Sequence, residues 1–119
     1  MTVKEREHKR YMRRLPVRLQ SEGIKLQGFT LDVSATGLSM WAKRGFEPTS
    51  LVDVFVSTDA SELKLKGEVL WCKRETKKET QMFVFVMGIR FFERSQPYIH
   101  FLEEVIADTE AKTHREDFH

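Results

Sequence analysis

At 119 residues the chain suits a single domain with one core, and 40% hydrophobic with 32% charged residues is ordinary globular composition. No apolar run reaches the roughly 20 residues of a membrane-spanning helix, and the charged start, Met1 to Arg10, lacks the apolar stretch of a signal peptide, so a cytoplasmic location without membrane insertion is expected. The single Cys72 excludes an internal disulfide framework; it fits a reducing compartment and reads as a small buried or half-buried side chain.

The net charge is only +2 but unevenly spread. Residues 1–19 hold seven basic residues (Lys4, Arg6, Lys9, Arg10, Arg13, Arg14, Arg18) against Glu5 and Glu7, a local +5, and the remainder sums to −3. A basic arm on a mildly acidic body points either to an anionic partner at the arm or to a solvated tail. The arm, residues 1–14, ends at Leu15-Pro16, where proline favours extended geometry.

Val17 to Gln20 reads as a short strand, Ser21-Glu22-Gly23 as a turn, and Ile24 to Gln27 as a half-buried strand by its alternation. At Gly28 the phase slips, because the apolar positions become Phe29, Leu31 and Val33, and a β-bulge is expected there. Asp32 and Ser34 should then share the outward face. Gly37 is expected to take a positive φ in the turn before the strand at Leu38 to Trp41. Residues 43–50 form a loop, Leu51 to Ser57 a strand and Thr58 to Glu62 a turn. Leu63, Leu65, Val69 and Trp71 fall in one phase of the next strand, which places Trp71 with the core. A charged hairpin tip, Arg74 to Thr80, leads into a strand from Gln81 to Phe92, in which Gly88 marks a close approach or bend. Ser95-Gln96-Pro97 starts an amphipathic helix, with Phe101, Leu102, Val105 and Ile106 at helical spacing. The helix is placed at 96–111 and a frayed tail at 112–119. Short strands without intervening helices argue for an antiparallel sandwich or barrel, and residues 15–95 are read as an all-β barrel carrying one C-terminal α-helix.

Several chemistries find no support. There is no Walker-type phosphate loop and no GxGxxG after a strand. His8, His100, His114 and His119 lack metal-ligand spacing with cysteine, and no Ser or Cys sits in a nucleophilic arrangement with His and an acid. His100 reads as a helix-surface residue and Glu103-Glu104 as a solvated face. Neither an enzyme, a metal site nor a bound cofactor is expected.

What remains is Arg10-Tyr-Met-Arg-Arg14 followed by Asp32-Val-Ser-Ala-Thr-Gly37. RxxxR followed by (Asp/Asn)xSxxG on a barrel strand resembles the signature of PilZ domains, with echoes in Gly67-Glu-Val-Leu-Trp71 and Gly88-Ile-Arg-Phe91. Arg6/Arg10, Arg14/Arg18 and Arg90/Arg94 also fit RxxxR, but only Arg10/Arg14 directly precedes the Leu15-Pro16-Val17 entry into the first strand. The resemblance implies a six-stranded barrel with a C-terminal helix, cyclic di-GMP as ligand, and Arg10, Arg14, Asp32, Ser34 and Gly37 as its binding residues.

The chemistry of these residue types is consistent with that ligand. Arginine's planar fork bonds guanine O6 and N7 bidentately, grips phosphate or stacks on a purine. Asp32 accepts from guanine N–H groups, Ser34 gives or takes one further bond, and Gly37 removes a Cβ from the ligand's approach. Lys9 and Arg13 are either further phosphate contacts or solvated arm residues. Trp71, if outward, would stack on a guanine. The expected mechanism is ligand-coupled ordering: a dianionic ligand clamps the arm onto the barrel and signals to a partner protein. Two other readings stay open: a domain of this fold that binds protein without nucleotide, and a small barrel that binds nucleic acid through its basic arm.

Overall fold

The computed structural model describes residues 9–77, 82–93 and 95–116. The first part of the arm, the tip of the charged hairpin, Arg94 and the last three residues lie outside the described residues. The elements are β1 (Tyr11–Met12), β2 (Pro16–Ser21), β3 (Ile24–Val33), β4 (Gly37–Ala42), β5 (Leu51–Ser57), β6 (Glu62–Lys77), β7 (Met82–Phe91) and α1 (Gln96–Glu116). Strands β3, β2, β5, β6, β7 and β4 are hydrogen-bonded in that order, and β4 returns to pair with β3. All pairings are antiparallel, and the six strands close into a barrel, as the sequence predicts. β1 is a short extension that pairs with β3 past the end of β2.

The elements form where local chemistry allows. Glu22 and Gly23, with φ of 50° and 82°, make the two-residue hairpin between β2 and β3, the mirror-image turn whose twist matches its strands. In β5, Val52, Val54 and Val56 alternate into the interior while Leu51 stays exposed. Leu19, Val33, Met40, Val54, Val56, Val69 and Met87 are wholly buried and form the barrel core.

The barrel's two bulges are not where the sequence suggests. Gly28 pairs in register with Val17 on one side and Ala42 on the other, so β3 does not slip there. The register shifts between Thr30 and Asp32 instead, which leaves Leu31 as the extra, exposed residue. Phe29 therefore faces outward, Thr30 is buried at 1% exposure, and Asp32 still faces out because the bulge restores its phase. A second shift between Val69 and Trp71 makes Leu70 the extra residue of β6.

Helix α1 begins as expected: the Ser95 hydroxyl accepts the Tyr98 N–H at 3.2 Å, capping the first turn. Tyr98, Leu102 and Val105 form one buried stripe on the barrel core, each contributing roughly 1.5–3 kcal/mol of apolar burial. The helix runs to Glu116, so residues 112–116, expected in a frayed tail, are helical.

Candidate functional site

The arginine-bearing segment is seated on β3 rather than standing apart from the barrel. Tyr11 and Met12 pair with Val33 and Asp32, and the Arg13 N–H donates to the Leu31 carbonyl at 3.2 Å. Beyond this the backbone kinks around Arg14. The kink is bracketed by Thr30, whose hydroxyl donates to the Arg13 carbonyl at 2.6 Å and accepts the Leu15 N–H at 2.9 Å. The Thr30 N–H also donates to the Leu15 carbonyl at 2.9 Å.

From this frame the arginines diverge. Arg10 donates to Asp32 Oδ1 at 2.8 Å, a pair on the outer wall with side chains 57% and 24% exposed. The Arg14 guanidinium lies 4.7 Å above the Phe29 ring and 5.8 Å from that of Trp41, and the two rings pack with centroids 5.4 Å apart. Arg13 turns the other way and donates to Asp108 of α1 at 2.5 Å. Lys9 is exposed just before β1. Arg10, Arg14 and Asp32 thus share one outer face, with a fork, a stacked cation and a carboxylate side by side.

The turn after Asp32 is built differently from the expectation. Ser34 is buried at 3% exposure and does not face outward with Asp32. Its hydroxyl donates to the Gly37 carbonyl at 3.2 Å and accepts the Thr36 N–H at 3.3 Å, while its own N–H donates to Gly37 at 2.9 Å. Strand phase ends at Val33, and beyond it Ser34 curls under the turn instead of continuing the alternation. Gly37 does not take a positive φ. It is required because a Cβ there would stand 2.0 Å from the Ile89 carbonyl oxygen of β7. Beneath the turn, the buried Tyr98 hydroxyl donates to the Ser34 carbonyl at 2.7 Å. Burial pushes the Tyr98 phenol well above its ordinary range, and the nearby charge of Asp32 adds to the shift.

Trp71 is also on the outside. The Leu70 bulge takes it out of phase with Leu63, Leu65 and Val69 and pairs it with Gly88, so its indole lies where a Gly88 Cβ would be, 2.3 Å from that position at the nearest atom. The expected close approach at Gly88 is therefore made by a side chain. Asp32 pairs with Ser39, Ser39 with Gly88 and Gly88 with Trp71, a single cross-strand row over β3, β4, β7 and β6. Lys73 lies 5.6 Å from the Trp71 ring and Lys77 4.6 Å from the Trp41 ring, so both tryptophans of this face carry cations. Cys72, half-buried, turns inward beside Met87, and burial raises its thiol pKa.

Sequence reasoning missed four contributors. Tyr98 shares the helical spacing of Leu102 and Val105, a signal that was present. Thr30 is a polar residue in the inward phase of β3, and Phe29 and Trp41 become a platform only through pairing across strands. A surface concavity of about 700 Å³, lined by Gln20, Phe46, Thr49 and Phe92 among others, contains none of the motif residues. Two further concavities border the motif, one of about 490 Å³ lined in part by Phe29 and Trp41 and one of about 590 Å³ lined in part by Arg13 and Arg14. Among the described residues no group of three or more His, Cys, Asp or Glu side chains is placed to hold a metal ion.

A closed six-stranded barrel with a capping helix, and with paired arginines and an acid on its outer wall, defines a class of small barrel that presents its charged site on a strand face. The family model of the PilZ domain matches residues 4–108, and the chain belongs to the PilZ domain family. No curated protein sequence matches it. Among solved structures it is similar to the PilZ domain of YcgR from Escherichia coli with c-di-GMP, with a TM-score of 0.69 and 10% identity over 92% of this chain and 95% of that one. It is also similar to the MrkH–c-di-GMP complex of K. pneumonia, with a TM-score of 0.68 and 14% identity over 92% of this chain and 54% of that one. A third likeness is the Bacillus subtilis inhibitor of motility MotI/DgrA, with a TM-score of 0.69 and 13% identity over 89% of this chain and 52% of that one. The chain thus spans about half the length of MrkH and MotI/DgrA. At these identities the likeness is one of fold.

Proposed function

We propose that this chain is a cyclic di-GMP receptor that binds the messenger on the outer face of β3 and β4. The observation that carries the reading is the convergence of Arg10, Arg14 and Asp32 on one wall, 2.8 Å separating Arg10 from Asp32 and 4.7 Å the Arg14 guanidinium from Phe29. Complexes of two similar folds, the PilZ domain of YcgR and MrkH, contain c-di-GMP, which supports the choice of ligand. In the bound state Arg14, already flat against Phe29, offers its other face to a guanine and its fork to O6, N7 or phosphate. Asp32 exchanges its Arg10 contact for guanine N–H donors, and Arg10 turns to phosphate. Ser34 and Gly37 act beneath the surface by shaping the turn. Lys9 stands at the rim as a phosphate contact, and Trp71, outward on the same face, is a second stacking surface.

Because β1 is seated on β3, clamping concerns side chains and the start of β1 more than the whole arm. The Arg13–Asp108 bond links that strand to α1, so α1 is where a protein partner would sense the ligand. The role is that of a cytoplasmic receptor or adaptor, with no catalysis. The Arg10–Asp32 pair favours one alternative, a domain whose motif residues satisfy each other and bind protein without nucleotide.

Calorimetric titration tests both readings. A micromolar affinity, about −8 kcal/mol, is expected for cyclic di-GMP, with little binding of GMP, GTP or the linear dinucleotide. Arg14→Ala or Asp32→Ala should weaken it at least several-fold, each removed bidentate contact being worth roughly 1–3 kcal/mol, without loss of fold. No heat from the wild type supports the nucleotide-free reading. Steeply salt-dependent binding to oligonucleotides would point to nucleic acid instead.

A further inference from the structure

We infer that Thr30 is the positioning residue for Arg14, an inference that rests on the receptor reading for its binding consequences. Arg14 has an exposed side chain and lies in a kink, the kind of setting in which a long arginine samples many directions. Its two flanking peptide groups are nonetheless fixed. The Arg13 carbonyl and the Leu15 N–H both bond to the one Thr30 hydroxyl, at 2.6 and 2.9 Å, and the Thr30 N–H donates to the Leu15 carbonyl at 2.9 Å. Thr30 is itself immobilised, 1% exposed and paired with Met40 of β4 just before the Leu31 bulge.

Three consequences follow from this bracket. Arg13 and Arg14, consecutive in a segment whose burial alternates, point to opposite sides: Arg13 to Asp108 on α1 and Arg14 to Phe29 on the outer wall, and the bracket fixes that orientation. It also satisfies two backbone groups that the kink removes from the β1 and β2 ladders, and a buried unpaired group is costly. Finally, Phe29 immediately precedes Thr30, so the same strand that pins the Arg14 backbone supplies the ring beneath its guanidinium. Arg14 is held at both ends, and the loss of its ordering entropy is borne by the fold before any ligand arrives.

Thr30→Val keeps the shape and removes both hydroxyl bonds; Thr30→Ser keeps them. With cyclic di-GMP as probe, Thr30→Val should bind about tenfold more weakly and Thr30→Ser near the wild type, in line with the net worth of one to two hydrogen bonds. The diagnostic is coupling. In an Arg14→Ala background Thr30→Val should cost nothing further, whereas in an Arg10→Ala background it should cost its full factor. An equal loss in both backgrounds would reduce Thr30 to general support and overturn the assignment. A ligand-free measurement separates this from the receptor reading. Arg14 side-chain protons, lying over Phe29, should show ring-current-shifted NMR signals in the wild type and Thr30→Ser, and signals near solvent values in folded Thr30→Val. Should the wild type bind no cyclic di-GMP, the receptor reading fails while these signals still decide Thr30; unchanged signals in Thr30→Val would overturn it.

Discussion

The two halves of the motif hold their residues in opposite ways. Between Asp32 and Gly37 nearly every polar group is committed to the fold: Ser34 through its hydroxyl, N–H and carbonyl, Thr36 through its carbonyl to the Phe91 N–H at 2.8 Å, and Gly37 through its contact with β7. Between Lys9 and Arg14 the commitment is made by main chain and by the Arg13 side chain, and the side chains of Arg10 and Arg14 stay on the surface. A short motif can therefore mix two kinds of residue. Asp32 belongs to the exposed outer face, and Ser34 and Gly37 belong to the scaffold that holds it.

That division makes substitutions in the two halves fail differently. The largest effect expected is at Gly37→Ala, where the new Cβ would meet backbone rather than a yielding side chain. Overpacking of this kind costs roughly 3 kcal/mol, and Tm should fall by about 10 °C. Arg14→Ala is the counterpart: little change in Tm, within about 0.5 kcal/mol as for most surface positions, but a binding loss of tenfold or more. A Gly37→Ala protein with unchanged Tm, or an Arg14→Ala protein that melts early, would erase the distinction. Tyr98→Phe comes next, since it leaves the Ser34 carbonyl without its buried donor and should cost about 1–2 kcal/mol. Its pH behaviour is specific. A phenol whose pKa is raised by folding contributes stability below about pH 10 that is lost as pH climbs, so the gap between wild type and Tyr98→Phe should narrow in alkali.

The barrel was legible because strand alternation, turn residues and the Ser95-Gln96-Pro97 helix start are local signals, and the closed sheet follows from them. The bulges were not. Leu31 and Leu70 are leucines that sit outside, and a hydrophobic residue spared from the core cannot be told from its neighbours by periodicity. Each displaced a side-chain reading: Phe29 from core to platform, and Trp71 from core to outer wall. Asp32 faces outward not through a slip at Gly28 but because the slip at Leu31 leaves it in the same phase. Ser34 and Gly37 illustrate the remaining limit. Both act through atoms of β7 and α1 more than fifty residues away, and no local pattern announces that.

Arg13 provides the smallest and most discriminating test, because within the described arm it is the arginine whose bond reaches the helix. Its hydrogen bond to Asp108, followed by the charge of Lys112, holds that exposed carboxyl below the ordinary carboxylate range. A depressed pKa contributes stability that is complete at neutral pH and disappears as pH falls below about 4. Thermal unfolding of wild type and Asp108→Asn should thus differ slightly at neutral pH and coincide in acid, and added salt should shrink the neutral difference because the pair is exposed. A difference that persisted in acid would assign the effect to helix packing instead. If it behaves as expected, the same variant becomes a clean probe of the arm: cyclic di-GMP affinity unchanged in Asp108→Asn would mean that Arg10 and Arg14 are aimed by β3 alone, whereas a loss would make α1 part of the aiming.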